Sequence, residues 1–197
     1  VRDPEAALYL KPMGDVGQVV PMQANLRNEA SIRNAVAGAD AVINLVGILA
    51  EAGRQKFDAV HARGAGLVAK AAAEAGVAKL VQMSALGADE HSKAAYARSK
   101  AGGEISVRNA FPTASIVRPS VIFGPQDGFF NKFGQMTKTS PALPLIGGGT
   151  SKFQPVYVGD VADAILACLE DDANAGKTFE LAGPTIYSFK ELLELVL

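Results

Sequence analysis

His61-Ala-Arg-Gly-Ala-Gly-Leu-Val-Ala-Lys-Ala-Ala-Ala-Glu-Ala75, closed by Gly76 and followed by Val77-Ala-Lys-Leu-Val-Gln-Met83, is the stretch that decides the fold. Its Ala-rich first part favours helix. Gly76 is the helix stop, because the residue past a helix end often takes a left-handed conformation that suits glycine. The apolar run behind it reads as a short strand. The same alternation continues on both sides. Gly17-Gln-Val-Val-Pro-Met-Gln-Ala24 is a strand candidate, placed at an edge by Pro21, which has no N–H to donate. Glu29 to Gly38 is helix-like, with Asn28 placed to cap it. Ala41-Val-Ile-Asn-Leu-Val46 is nearly all apolar, as expected of a strand buried on both faces. A helix over residues 96 to 110 leads to the strand candidate Ala114-Ser-Ile-Val-Arg-Pro119. Strands separated by helices predict an α/β fold with a parallel sheet. In open parallel sheets ligands sit beyond the carboxyl ends of the strands, where Asn25, Asn44 to Gly47, Ser84 and Pro119 fall.

Ser84 ends its strand, and Tyr96-Ala-Arg-Ser-Lys100 follows on the next predicted helix. Residues four apart on a helix share a face, so Lys100 can lie near the Tyr96 phenol. A neighbouring cation favours phenolate and lowers a Tyr pKa from about 10, which suits proton exchange with a substrate oxygen. Ser84 would hydrogen-bond that same oxygen. The Tyr-x-x-x-Lys spacing alone is weak, arising by chance in roughly one such chain in five. The competing reading is a solvated helix in which Tyr96 packs its ring and Lys100 meets water.

With its flanks, the chain resembles the extended or atypical short-chain dehydrogenases/reductases, epimerase/dehydratase-like proteins with a Rossmann-like doubly wound parallel sheet. The resemblance rests on Asn25-Leu26, Asn44-Leu-Val-Gly47, Ser84, Tyr96-x-x-x-Lys100 and Arg118-Pro-Ser-Val-Ile-Phe-Gly-Pro-Gln-Asp127. Lys11-Pro-Met-Gly-Asp-Val-Gly-Gln18, Gln154-Pro-Val-Tyr-Val-Gly-Asp-Val161 and Gly176-Lys-Thr-Phe-Glu-Leu-Ala-Gly-Pro184 are similar to the nucleotide-binding accessory subunits of respiratory complex I and their bacterial relatives. The resemblance implies a bound dinucleotide. Asn25 and Leu26 would border the adenine, Leu45, Val46 and Gly47 would line the nucleotide, and Tyr96 and Lys100 would contact the nicotinamide ribose. Pro119, Ser120 and Val121 would flank the nicotinamide. Arg2 stands where family members pair a basic residue with a 2′-phosphate, which Arg can grip bidentately, so NADP(H) is favoured over NAD(H).

The departures are also informative. No Gly-x-Gly-x-x-Gly occurs, so the usual pyrophosphate cradle is missing. The chain begins without Met where a second strand should end, and its last residues, Glu194-Leu-Val-Leu197, read as helix. The expectation is a fragment whose parent carries about 30 further N-terminal residues, the length of a β-α-β opening. On that reading, residues 1–118 form an incomplete dinucleotide-binding core, and 119–197 complete the core and the substrate cleft. His61 stands where many relatives place an Asn that supports the active-site Lys through water, although a surface residue at a helix start fits equally well. The loop from Ser84 to Tyr96 is short for a sugar-nucleotide enzyme.

Composition narrows the classes further. A chain of 197 residues with 49% hydrophobic content can bury one sizeable core. Its net charge of −1 offers no electrostatic footprint for nucleic acid. No apolar run reaches the ~20 residues of a membrane-spanning helix. Cys168, the one cysteine, reads as a core residue of the helix Val161-Ala-Asp-Ala-Ile-Leu-Ala-Cys168. Asp160 and Asp163 complement the start of that helix, and no metal-ligand cluster accompanies them. Phe129, Phe130 and Phe133 have helical spacing, Ser140 to Gly149 reads as a Pro/Gly-punctuated connection, and His91 is incidental. Two functional readings remain. One is an accessory or assembly subunit of NADH:quinone oxidoreductase that holds NADP(H), cytoplasmic and peripheral to the inner membrane, or on the matrix side in a eukaryote. The other is a free oxidoreductase or epimerase/dehydratase working through Ser84, Tyr96 and Lys100 on a small carbonyl or sugar-nucleotide substrate.

Overall fold

The computed structural model describes residues 1–138 and 145–196. Glu5–Met13 winds as an exposed 3-10 helix. Helix α1 (Glu29–Val36) is capped by Asn28, whose side chain accepts from the Ser31 N–H as expected. Strand β1 (Ala41–Asn44) then enters the sheet. A π-helical stretch, Asp58–Gly64, runs straight into α2 (Ala65–Glu74). Gly76 follows with φ of +70°, the conformation expected of the stop. Next come β2 (Lys79–Met83), α3 (Ala95–Ala110) and β3 (Ser115–Pro119). The C-terminal part contains β4 (Ile122–Phe123), α4 (Phe130–Thr137), β5 (Lys152–Phe153), β6 (Val156–Tyr157) and α5 (Val158–Glu170). It ends with β7 (Thr178–Leu181), β8 (Tyr187–Ser188) and α6 (Phe189–Glu194).

The main sheet has the order β1-β2-β3-β7, and every pairing is parallel. Helices cover both faces, which makes the fold a Rossmann-like doubly wound sheet. Strand alternation divides the core. Leu80 points to the side where Ala65, Ala69, Ala72, Val107 and Phe111 pack, and its neighbour Val81 points to the side of Val117, Val161, Ile165 and Cys168. Ile32 and Val36 of α1 close on Val68 and Ala71 of α2. Cys168 is a buried core residue as expected, lying at the amino ends of β2 and β3 beside a small cavity of about 180 Å³ that Lys79, Leu80 and Ser115 also line.

Two expectations need adjustment, and a third falls partly outside the described residues. Gly17–Ala24 forms no strand: its contacts with Val1 and Arg2, through Val1 N to the Met22 carbonyl at 3.0 Å, Ala24 N to the Val1 carbonyl at 2.7 Å and Gln23 Nε2 to the Arg2 carbonyl at 3.4 Å, make no ladder. Strand β1 stops at Asn44 and is not buried on both faces: it is the sheet edge, and Ile43 is exposed. Of the connection expected over Ser140–Gly149, residues 140–144 lie outside the described residues. The remainder bends through three glycines of positive φ, Gly147 to Gly149.

Helix α3 crosses the π-helical stretch and α2 over small residues. Gly66 faces Ser106, Gly102 faces Ala62, and Gly103 lies directly on the His61 carbonyl, which a β-carbon at that position would overlap. That backbone-to-backbone approach cannot be relieved by a rotamer change. Gly103→Ala is expected to destabilise by about 3 kcal/mol, the upper end of overpacking costs, whereas Gly102→Ala, whose added carbon would meet the Ala62 side chain at an ordinary 3.5 Å, should be neutral or better. Urea unfolding of the two variants checks this.

Candidate functional site

The close crossing at Gly103 places His61 against the first turns of α3. A π-helical stretch is uncommon and often marks a functional site, and here it turns a residue of the α2 arm toward the loop after β1. His61 is 3% exposed. Its Nε2 accepts from the Ile48 N–H at 3.0 Å, so the ring proton is on Nδ1 and points at Ser99 Oγ, 2.9 Å away. Ser99 Oγ in turn donates to the Tyr96 carbonyl at 2.7 Å. Burial first, and the Lys100 charge second, lower the His61 pKa to about 4, so the ring is neutral. Phe57 stacks on it with ring centroids 5.5 Å apart, and Tyr96 meets it edge-on at 5.4 Å. His61 is therefore an interior link and not a surface residue. Both of its nitrogens are taken by protein groups, which leaves neither to hold a bridging water.

Tyr96 and Lys100 share a face of α3 as the spacing predicts, with Lys100 Nζ 5.8 Å from the Tyr96 ring centroid. The electrostatics differ from the expectation. Burial pushes the Tyr96 phenol above its ordinary value. Burial also pushes the Lys100 ammonium down, with the Glu104 carboxylate opposing. At this separation desolvation outweighs the pull of the cation on the phenol. Lys100 is 7% exposed, yet none of the described residues accepts a hydrogen bond from its ammonium, and none pairs with the Tyr96 hydroxyl. The Lys100 stem is buried while its ammonium stays open to solvent, since no buried side-chain nitrogen or oxygen among the described residues is left unpartnered, and an open ammonium with three donors suits a ligand carrying hydroxyl or phosphate oxygens.

Ser84 is turned the other way. Its hydroxyl donates to Glu104 Oε1 at 2.5 Å, and Glu104 receives both Arg118 Nε and Nη2 at 2.8 Å. Arg118 also reaches Glu180 on β7 at 3.3 Å. These hydrogen bonds raise the Arg118 pKa further. Sequence reasoning passed over Glu104, although it stands four residues after Lys100, the same spacing that joins Lys100 to Tyr96.

The loops at the carboxyl ends of the strands supply the other residues. Asn44 is buried and donates to Gln82 Oε1 at 2.8 Å, while its own oxygen accepts from the Val46 N–H at 3.2 Å. That turn directs Leu45 and Val46 into the open, both exposed, and brings Gly47 to Lys100 and His61. A β-carbon on Gly47 would lie 3.4 Å from Lys100 Nζ and 3.6 Å from His61 Nε2. Pro119 accepts from the Leu86 N–H at 2.9 Å, Ser120 N–H donates to the Leu181 carbonyl at 2.8 Å, and Val121 accepts from the Val156 N–H at 3.0 Å. The segment Pro119 to Val121 is thus fixed between β2, β7 and β6. Just past it opens a cavity of about 520 Å³, lined by Ile122, Phe123, Gly124, Pro125, Asp127 and Val158 among others. The structure brings together Gly47, His61, Tyr96 and Lys100, and separately joins Ser84 to Glu104 and Arg118. Asn25 and Leu26 stand apart from the Tyr96 cluster: the Asn25 side chain accepts from the Arg27 N–H, and Leu26 packs on the Ile32, Val36 and Val68 cluster over Gly64. Arg2 is exposed beside Gln23, and its guanidinium makes no ion pair with a described residue. Among the described residues no group of three His, Cys, Asp or Glu side chains could hold a metal ion, and no helix is long and apolar enough to cross a membrane.

Residues 10–182 match the NAD dependent epimerase/dehydratase family. The chain is 45% identical over 190 residues to the Arabidopsis thaliana protein "NADH dehydrogenase [ubiquinone] 1 alpha subcomplex subunit 9, mitochondrial", covering 95% of this chain and 47% of that one. The Mus musculus protein of the same name is 38% identical over 190 residues, covering 96% of this chain and 50% of that one. The chain spans about half the length of these relatives. Among solved structures, a dTDP-glucose 4,6-dehydratase double mutant from Streptomyces venezuelae with NAD bound superposes with a TM-score of 0.81 at 20% identity, covering 95% of this chain and 66% of that one. At that identity the likeness concerns the fold.

The neutral His61 has a consequence for acid stability. Between its ordinary pKa of 6.5 and about 4, the unfolded chain takes up a proton that the folded chain does not. Stability present above pH 6.5 is therefore lost as pH falls toward about 4, by at most about 3 kcal/mol from this group. Urea unfolding should lose more stability between pH 7 and pH 4.5 in the wild type than in His61→Gln, which cannot titrate. Equal losses in the two proteins would place the acid sensitivity elsewhere.

Proposed function

Because the chain belongs to the NAD dependent epimerase/dehydratase family, we propose that it holds a nicotinamide dinucleotide beyond the carboxyl ends of β1, β2 and β3, as part of an accessory or assembly subunit of NADH:quinone oxidoreductase. The observation that carries this reading is the 45% identity to a named subunit of that enzyme across 95% of the chain. The dinucleotide would lie along residues 1–118, with residues 119–197 completing the cleft. The solvent-accessible Lys100 ammonium, without a hydrogen-bond acceptor among the described residues, and the Tyr96 phenol beside it would hold the nicotinamide ribose. Gly47, which carries no β-carbon, keeps its backbone close to Lys100 and His61, and it would line the nucleotide with Leu45 and Val46. Pro119, Ser120 and Val121 would flank the ring, and Asn25 and Leu26 the adenine.

The residues fit such a ligand in charge and exposure. When bound, the dinucleotide supplies hydride chemistry; the chain supplies the cation, the phenol and a fixed wall. We assign NADP(H) rather than NAD(H) on Arg2, whose exposed, unpaired guanidinium suits a 2′-phosphate. In the accessory role the ligand stabilises the fold by binding only its native form. The protein would work peripheral to the membrane that holds the quinone enzyme.

The full-length parent, extracted gently from its own cells, should co-migrate with NADH:quinone oxidoreductase on native gels. Tyr96→Phe should leave that association intact. Lys100→Met should weaken NADPH binding by about tenfold or more, about 1.4 kcal/mol. A parent that runs alone and consumes NADPH with a carbonyl substrate, in a Tyr96-dependent way, overturns the accessory reading in favour of a free oxidoreductase or epimerase.

A further inference from the structure

Glu104 is 7% exposed on α3, and both of its oxygens are occupied. Oε1 accepts from Ser84 Oγ at 2.5 Å and from Arg118 Nε at 2.8 Å, and Oε2 accepts from Arg118 Nη2 at 2.8 Å. Ser84 is held at the main chain as well, its N–H donating to the Val117 carbonyl at 2.7 Å. A hydroxyl has one proton. Directed to a charged acceptor in the interior, it is not available to polarise a carbonyl in the cleft. Two residues on, the Leu86 N–H reaches the Pro119 carbonyl, and the Leu86 side chain stands 40% exposed, so the end of this strand shows an apolar side chain beside Pro119.

We infer that Glu104 is a positioning residue of the candidate site: it withdraws the Ser84 hydroxyl from any bound carbonyl, fixes the end of β2 against α3 and β3, and sets a carboxylate one helical turn from Lys100. The inference builds on the dinucleotide reading above. Lys100 is faced by Tyr96 and Glu104 from its own helix, by the neutral His61 from the π-helical stretch and by the Gly47 backbone from the loop after β1. Arg118 and Glu180 stand behind Glu104. Burial acts against the ammonium, and Glu104 opposes that effect. In Glu104→Gln the opposition goes and Arg118 loses its closest counter-charge. Lys100 then gives up its proton at lower pH, and with it the grip on an oxygen-rich ligand.

The test uses the full-length parent with Ser84→Ala, Glu104→Gln and both changes, following thermal melts and NADPH affinity from neutral to alkaline pH. Each single variant should melt lower, and the double variant no lower than Glu104→Gln alone, because the two residues form one unit. Ser84→Ala should keep NADPH affinity within about twofold. Glu104→Gln should move the alkaline loss of affinity to lower pH. Additive melting losses overturn the inference. So does a Ser84→Ala variant whose NADPH affinity or hydride transfer falls about tenfold while its melt is unchanged. Should Glu104→Gln not fold, Ser84→Ala decides by the same pair of readouts. A wild-type parent that binds no dinucleotide ends the reading above, yet additivity of the melts still decides whether Ser84 and Glu104 act together.

Discussion

The contact on which the site depends is the backbone crossing of α3 over the π-helical stretch at Gly103 and His61. Helices usually meet through side chains, with axes 8–10 Å apart. Here the absence of a β-carbon at Gly103 lets the helix lie on the His61 carbonyl itself. That approach brings Ser99 within hydrogen-bond reach of the His61 ring and stacks Phe57, His61 and Tyr96 in one cluster. A glycine inside a helix costs about 1 kcal/mol relative to alanine. The gain is geometric, because one helix then presents Tyr96 and Lys100 to the loop after β1 and Glu104 to the ends of β2 and β3.

The polar groups of the site divide into two sets. His61, Ser99, Asn44, Gln82, Ser84, Glu104 and Arg118 are each satisfied by protein partners. The Tyr96 hydroxyl and the Lys100 ammonium lie in the same neighbourhood without a hydrogen-bond partner among the described residues. In the Glu104–Arg118 pair the carboxylate is buried and the guanidinium partly exposed, so losing Arg118 would leave the Glu104 charge without its closest partner. The first set is thus costly to rearrange. A ligand can be met by the second set without disturbing the first.

Most of the fold was legible because its signals are local. The Ala-rich helix, the Gly76 stop and the apolar run to Met83 announced α2 and β2, and Asn28 announced the start of α1. The Tyr96 and Lys100 pair was legible through helix periodicity. Features that depend on distant partners were not. Nothing local links Ser84 to Glu104, and the glycines of α3 read as weak points of a helix until the opposing backbone is seen. Strand β1 has the composition of a doubly covered strand, but covering depends on neighbours, and here it is the edge. Strands β4, β5, β6 and β8 are two residues long, too short for any periodic pattern.

Cys168 lies at the end of the sheet opposite the candidate site, buried among α5 and the first residues of β2 and β3. It is the only thiol in the chain. Burial raises its pKa, so it reacts slowly while α5 stays seated. Its labelling rate therefore measures how often α5 lifts from the sheet, a local opening distinct from global unfolding. Because the reporter touches none of the residues around Tyr96, slowing by a bound ligand beyond its effect on global stability reports coupling between the two ends of the sheet. The molecule carries its own gauge of mechanical connection between its two ends.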